Sequence, residues 1–118
     1  MKPSKVLSYA MQVGNLIFTS GLTPRDPQTG EIVGDGIEAQ AKVTFENLKR
    51  VLDSVGARVT DVAKVTIYLT SIGDAPRMNE LYSSFFGDHR PARTTVEISS
   101  LTPGMVIEVE AIVAVRDK

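Results

Sequence analysis

The last apolar run of the chain, Met105 to Val115, reads MVIEVEAIVAV. In a pleated strand successive side chains point to opposite faces, so Ile107, Val109, Ala111 and Val113 share one face while Glu108, Glu110, Ile112 and Ala114 share the other. Both faces are substantially apolar, yet one carries two neighbouring carboxylates. Upstream, Ile37, Ala41, Phe45, Leu48, Leu52 and Val55 recur at helical spacing, which predicts an amphipathic helix with one buried face. Asp35 or Gly36 can begin it, and Gly56 stands where a left-handed cap would end it. AKVTIYLT then alternates, with Val65, Ile67 and Leu69 set against Lys64, Thr66, Tyr68 and Thr70, a strand with one apolar side. Asp74 can cap a second helix in which Met78, Leu81, Tyr82, Phe85 and Phe86 fall at helical spacing, and Gly87 ends it. NLIFTSGLTP predicts a strand running into a turn, RDPQTGEIVGDG a hairpin or loop, ARTTVEIS a strand and SSLTPGM a turn.

The order is strands, helix, strand, helix, strands. Two strand-helix-strand crossovers of the usual right hand put both helices on the same face of one mixed sheet, an α+β architecture. The opposite face should be polar in a monomer. Ile112 and Ala114 lie there, and Val96, Ile98, Ile107, Val109, Val113 and Val115 add more apolar strand surface than two modest helices need. Such a face marks a subunit interface, so an oligomer is expected.

Composition narrows the chemistry. The 118 residues suit one domain, 1–118, with an ordinary core. A formal charge of −1 without a run of lysine or arginine offers no footprint for a phosphate backbone, so nucleic acid is not an expected partner. No apolar stretch approaches the roughly 20 residues that cross a bilayer, and MKPSKVLSYA lacks the apolar core of a secretion signal, which points to no membrane partner and a cytoplasmic location. The absence of cysteine removes disulfides and thiolate nucleophiles, and the one histidine, His89, sits between Asp88 and Arg90 in what reads as a solvated loop. A histidine-based metal site or triad is therefore not expected.

The segments NLIFTSG, TGEIV, EAQAKVTFENLKRVLDSVGA, DVAKVTIYL, MNELYSSFF, PARTTVEIS and IEVEAIVAV occur in the order seen in the YjgF/RidA family of reactive-intermediate imine deaminases, which the chain resembles from about Gly14 to Val115. The pair PAR-x-x-VE and IE-x-EA is the most specific. The resemblance implies a chorismate-mutase-like fold, assembly with itself as a homotrimer, active sites in clefts between subunits, and cofactor-free hydrolysis of small 2-imino acids to 2-keto acids and ammonia. Arg93 matches the arginine whose guanidinium grips the substrate carboxylate through paired charge-assisted bonds. Glu108 matches the glutamate near the reacting carbon, a general base able to orient and deprotonate water. Thr95 stands where many members carry cysteine, a position whose backbone carbonyl helps to hold that water. Ser20 and Gly21 match cleft-lining positions, and Asn79 matches a polar cleft or interface position. Taken without the resemblance, Arg93 reads as an exposed strand-end cation and Glu108 as a cross-strand ion-pair partner; Tyr82, Phe85 and Phe86 read as core.

The amino terminus departs from the family. Leu7 falls where a substrate-covering tyrosine is common, with Tyr9 two residues away on the same strand face and able to approach the cleft. Leu22 replaces a frequent glutamine, and GDHR before Pro91 is shorter than usual. These departures leave open a different enamine, such as an aminomuconate-type intermediate, or a non-enzymatic trimeric ligand-binding or regulatory protein. A ribonuclease activity, described for some members, finds no basic patch to rest on. Glu110 has no family role and reads as an ion-pair or interface residue.

Overall fold

The structure, a computed structural model, describes residues 4–115. Strands β1 (Ala10–Val13) and β2 (Leu16–Thr19) form a hairpin; helix α1 (Gly36–Ser54), strand β3 (Val62–Leu69), helix α2 (Ala75–Phe86) and strands β4 (Ala92–Glu97) and β5 (Ile107–Ala114) follow. The sheet order is β1-β2-β5-β3-β4. β5 runs antiparallel to both β2 and β3, and β4 lies parallel to β3 at the edge. The last strand therefore fills the gap between β2 and β3, the two parallel strands that α1 connects.

Alternation decides which side chains meet the helices. Val65, Ile67, Leu69, Ile107, Val109, Ala111, Val113 and Ile17 are buried beneath α1 and α2 together with Ala41, Phe45, Leu48, Leu52, Met78, Tyr82 and Phe86. Val51 completes the α1 stripe. Gly56 ends that helix at φ +72°, a conformation that favours glycine. Asp35 and Asp74 occupy the two N-cap positions but neither side chain makes a capping hydrogen bond.

The uncovered face differs in composition from the sequence expectation. Ile107, Val109 and Val113 are wholly buried under the helices and contribute nothing to it. Its exposed apolar surface comes from the hairpin and the edge: Met11 is 62% exposed, Val13 65%, Phe18 39%, and Leu16 and Val96 36% each. Register sets Met11 opposite Phe18, Val13 opposite Leu16, and Phe18 opposite Ile112 on that face. The oligomer expectation keeps its warrant with a different set of residues.

α1 buries polar groups that its apolar stripe does not predict. The Gln40 amide donates to the carbonyls of Gly104 (2.7 Å) and Gly34 (3.3 Å), and its Oε1 accepts the Val106 N–H at 2.8 Å. Asn47 Nδ2 donates to the carbonyls of Thr23 and Arg25, both at 2.8 Å. Loop backbone buried against a helix must find partners, and these two amides supply them. His89 is also more engaged than a solvated loop residue: it is half-buried, with Nε2 2.7 Å from the Val62 carbonyl.

Replacing Gln40 with leucine orphans the Val106 N–H and the Gly104 carbonyl. Gln40→Leu should cost about 2–3 kcal/mol, or ~10 °C in Tm, in a thermal melt, whereas Lys42→Leu on the exposed side of α1 should change little. A Gln40→Leu melt within a degree of wild type would remove the clamp from the account.

Candidate functional site

Two groups of polar residues stand out, on opposite faces of the sheet. The first is on the uncovered face. Glu108 lies directly opposite Tyr68, and Glu110 directly opposite Thr66, across the β3–β5 ladder. Tyr68 Oη donates to Glu110 Oε1 at 2.5 Å, so Glu110 is engaged. Among the described residues no hydrogen bond or ion pair holds the Glu108 carboxylate. It rests instead against Gly21: a Cβ added there would stand 2.7 Å from Glu108 Cδ and closer still to Oε2. Only glycine permits that approach.

The chain reaches Gly21 by continuing β2 along β5. Leu22 exchanges backbone hydrogen bonds with Val109 (2.6 and 3.0 Å), and Thr19 Oγ1 accepts the Ala111 N–H at 3.0 Å. Ser20 Oγ donates to the Ser8 carbonyl at 2.6 Å and its N–H donates to the Tyr9 carbonyl at 2.9 Å, which ties the amino-terminal segment beside Gly21. A cavity of about 210 Å³ opens there, lined among others by Leu7, Tyr9, Gly21, Leu22 and Arg25. Arg25 was not singled out from the sequence; an arginine in a turn-rich stretch carries no pattern that distinguishes it.

Burial pushes the proton affinity of Glu108 up, the adjacent Glu110 charge adds to the rise, and the Arg25 guanidinium opposes it. A carboxylate that is partly desolvated, unbonded and beside a cavity is a candidate proton acceptor. Tyr68 is also raised, chiefly by its bond to Glu110 and then by burial, and stays a neutral donor at physiological pH.

The second group is on the helix face at the sheet edge. Register puts Arg93 opposite Val65 and Thr95 opposite Ile67, so both side chains point toward the helices. The Arg93 guanidinium stacks over the Tyr82 ring, Cζ 4.7 Å from its centroid, and has no carboxylate partner among the described residues. Asn79 precedes Tyr82 by one turn of α2. Asn79 Oδ1 and Thr95 Oγ1 are both buried with no hydrogen-bond partner among the described residues of the protomer. β4 is an edge strand, so alternate backbone groups along it have no neighbouring strand.

Of the residues expected in the site, Glu108, Gly21, Ser20 and Tyr9 gather on one side, and Arg93, Thr95 and Asn79 on the other. One protomer does not bring the two sets together. Tyr82, expected as plain core, is buried but also forms the platform under Arg93.

The model of the endoribonuclease L-PSP family matches residues 1–115. A RutC family protein of Pyrococcus abyssi is 49% identical over 111 residues, covering 94% of this chain and 87% of the relative. The 2-iminobutanoate/2-iminopropanoate deaminase of Escherichia coli is 38% identical over 109 residues, 90% of this chain and 84% of its own. Among solved structures, a putative endoribonuclease from Thermotoga maritima superposes with a TM-score of 0.90 at 45% identity, covering 98% of this chain and 92% of that one.

Because folding raises the proton affinity of Glu108, its contribution to stability is fully present below the unfolded carboxylate range and is lost as pH rises through the raised folded value. At pH 7 the ionised group is thus a net cost. Glu108→Gln should raise the Tm by roughly 1–3 °C at pH 7, and the gain should vanish near pH 4, where wild type is protonated. Melts showing no gain at neutral pH would contradict the desolvated carboxylate.

Proposed function

The chain belongs to the endoribonuclease L-PSP, or YjgF/RidA, family, and we propose that it hydrolyses small reactive 2-imino acids to 2-keto acids and ammonia, in sites completed between the protomers of a homotrimer. The observation that carries this reading is the Glu108 carboxylate, unbonded, partly desolvated and pressed on Gly21. The name of the Escherichia coli relative supports the reaction class.

Arg93 grips the substrate carboxylate through two parallel N–H···O bonds, a task for which its lack of an ion-pair partner leaves it available. A backbone carbonyl at Thr95 and the Glu108 carboxylate hold a water. Glu108 takes a proton from that water as its oxygen adds to the imine carbon and passes it to the nitrogen; it then carries the remaining proton of the new hydroxyl to the nitrogen, so that the C=O bond forms as the C–N bond breaks and ammonia leaves. An elevated proton affinity brings the base nearer to neutral pH, where it is most effective.

Since Arg93 and Glu108 face opposite sides of a protomer, a second copy has to bring its edge group to the first copy's open face. The apolar surface of Met11, Val13, Leu16, Phe18 and Val96 supplies the hydrophobic contact such assembly needs. A net charge of −1 gives the ribonuclease reading no comparable support.

The test generates 2-iminobutanoate from threonine with a dehydratase and follows keto-acid release. Arg93→Ala should slow the reaction about a hundredfold, as expected for losing an anchor of ~3 kcal/mol, and Glu108→Gln should abolish it. Unfolding and refolding the two variants together should restore about a quarter of wild-type activity, since random mixing gives one interface in four with both residues intact. No restoration would overturn the shared site, and no acceleration by wild type would leave a ligand-binding role.

A further inference from the structure

The cavity beside Gly21 contains a cation that the proposed mechanism does not use. Arg25 Nη1 donates to the Gly30 carbonyl at 2.9 Å, which closes its own loop. Among the described residues Nη2 meets only the Met105 sulfur at 4.0 Å, a weak acceptor, and no ion pair neutralises the guanidinium. The neighbouring carboxylate, Asp26, is committed elsewhere: its Oδ1 accepts the N–H groups of Gln28 (2.8 Å) and Thr29 (3.0 Å). Asn47 fixes the Arg25 backbone against α1. Arg25 is therefore a held, half-buried cation, without a direct ion-pair partner among the described residues, at the wall of a cavity that also reaches Gly21, against which lies the Glu108 carboxylate that feels its charge.

We infer that Arg25 forms a subsite for a second carboxylate, so that the preferred substrate is a dicarboxylic 2-imino acid. This rests on the deaminase reading above. Arg93 would hold the carboxylate next to the imine carbon while Arg25 holds the one at the far end of the side chain, leaving the imine carbon between them near Glu108. A cavity of about 210 Å³ is below the 300–1,000 Å³ usual for drug-sized ligands and suits a short metabolite. Leu7 and Leu22 supply apolar wall and Ser4, Tyr9 and Thr23 neutral polar groups, while the Asp26 carboxylate in the lining is bound to its own turn, so the Arg25 guanidinium is the cationic group there able to favour an anionic side chain. The reaction balances without a co-reactant: water adds its oxygen to the imine carbon, the C–N bond breaks, and ammonia leaves with no change of oxidation state.

The experiment compares 2-iminoglutarate and 2-iminobutanoate, each generated in the cuvette by an L-amino-acid oxidase, as the ratio of kcat/KM values at one pH. A ratio cancels any effect of Arg25 on Glu108. Wild type should favour the dicarboxylic substrate at least tenfold, Arg25→Gln should bring the ratio to about one, and Arg25→Lys should retain part of the preference. Calorimetric titration of the products, 2-oxoglutarate against 2-oxobutanoate, reads the same subsite without turnover. A preference in binding that disappears in Arg25→Gln supports the subsite even if no imine is hydrolysed, an outcome that would sink the deaminase reading alone. Hydrolysis of 2-iminobutanoate with no dicarboxylate preference, in turnover or in binding, overturns the subsite and leaves the deaminase reading standing.

Discussion

A carboxylate pressed against a bare Cα is the contact on which the candidate site depends. Glu108 can sit on Gly21 because the chain leaving β2 stays hydrogen-bonded to β5 through Leu22 and Val109, and because residue 21 has no side chain. Both conditions are properties of the backbone. The reward is a carboxylate at the middle of the sheet whose neighbours are another carboxylate, a cavity and a distant guanidinium rather than a hydrogen-bond donor. Elsewhere on the same face the matching group is quieted: Glu110 accepts from Tyr68 at 2.5 Å. Two glutamates of the same strand and face are thus separated into a bonded one and an unbonded one by a single tyrosine across the ladder. A group left unbonded in a partly dry setting is a stored electrostatic cost, and such costs gather where chemistry is done.

Much of the fold follows from periodicity. Ala41, Phe45, Leu48 and Leu52 of the stripe are the buried side of α1, with Ile37 and the C-cap Val55 partly buried at its ends, and the alternation of β3 and β5 correctly divides helix side from open side. The β1–β2 hairpin is less legible, because AMQV carries too little alternation over 4 residues to announce a strand. Gln40 and Asn47 escape for a different reason. Hydrophobic pattern scores a buried amide as a surface residue, and their partners are loop carbonyls distant in sequence, 64 residues away in the case of Gly104. The misassigned apolar surface has the same root: counting valines and isoleucines in β5 cannot tell which are covered until the sheet order puts β5 in the centre.

The candidate site was legible as a set of residue types and not as a location. Motif resemblance named Arg93 and Glu108, but the parity of their positions within two different strands, one parallel and one antiparallel to β3, sends them to opposite faces. No single-chain pattern reveals that relation. It gives the unsatisfied atoms of the edge group a common sense: among the described residues, Asn79 Oδ1 and Thr95 Oγ1 are buried without partners, and Arg93 has an aromatic platform without a counter-ion. Native structures rarely leave buried polar atoms unpaired, and a second copy or a ligand is the ordinary remedy.

Rigidity in this protein comes from polar ties as much as from apolar packing. The loop bearing Arg25 is built of glycines, prolines and polar residues, a composition that favours mobility when nothing holds it. Here it is held three times: by Asn47 at the carbonyls of Thr23 and Arg25, by Asp26 capping its own turn, and by Arg25 spanning to Gly30. A discriminating cation has to be fixed before the ligand arrives, since ordering it on binding would subtract from the affinity it provides. The buried Asn47 amide on α1 thereby converts a loop into a wall of the cavity. Asn47, on the face of α1 that closes the hydrophobic core, also lines the cavity, so packing and the shape of the cavity cannot be varied independently in this fold.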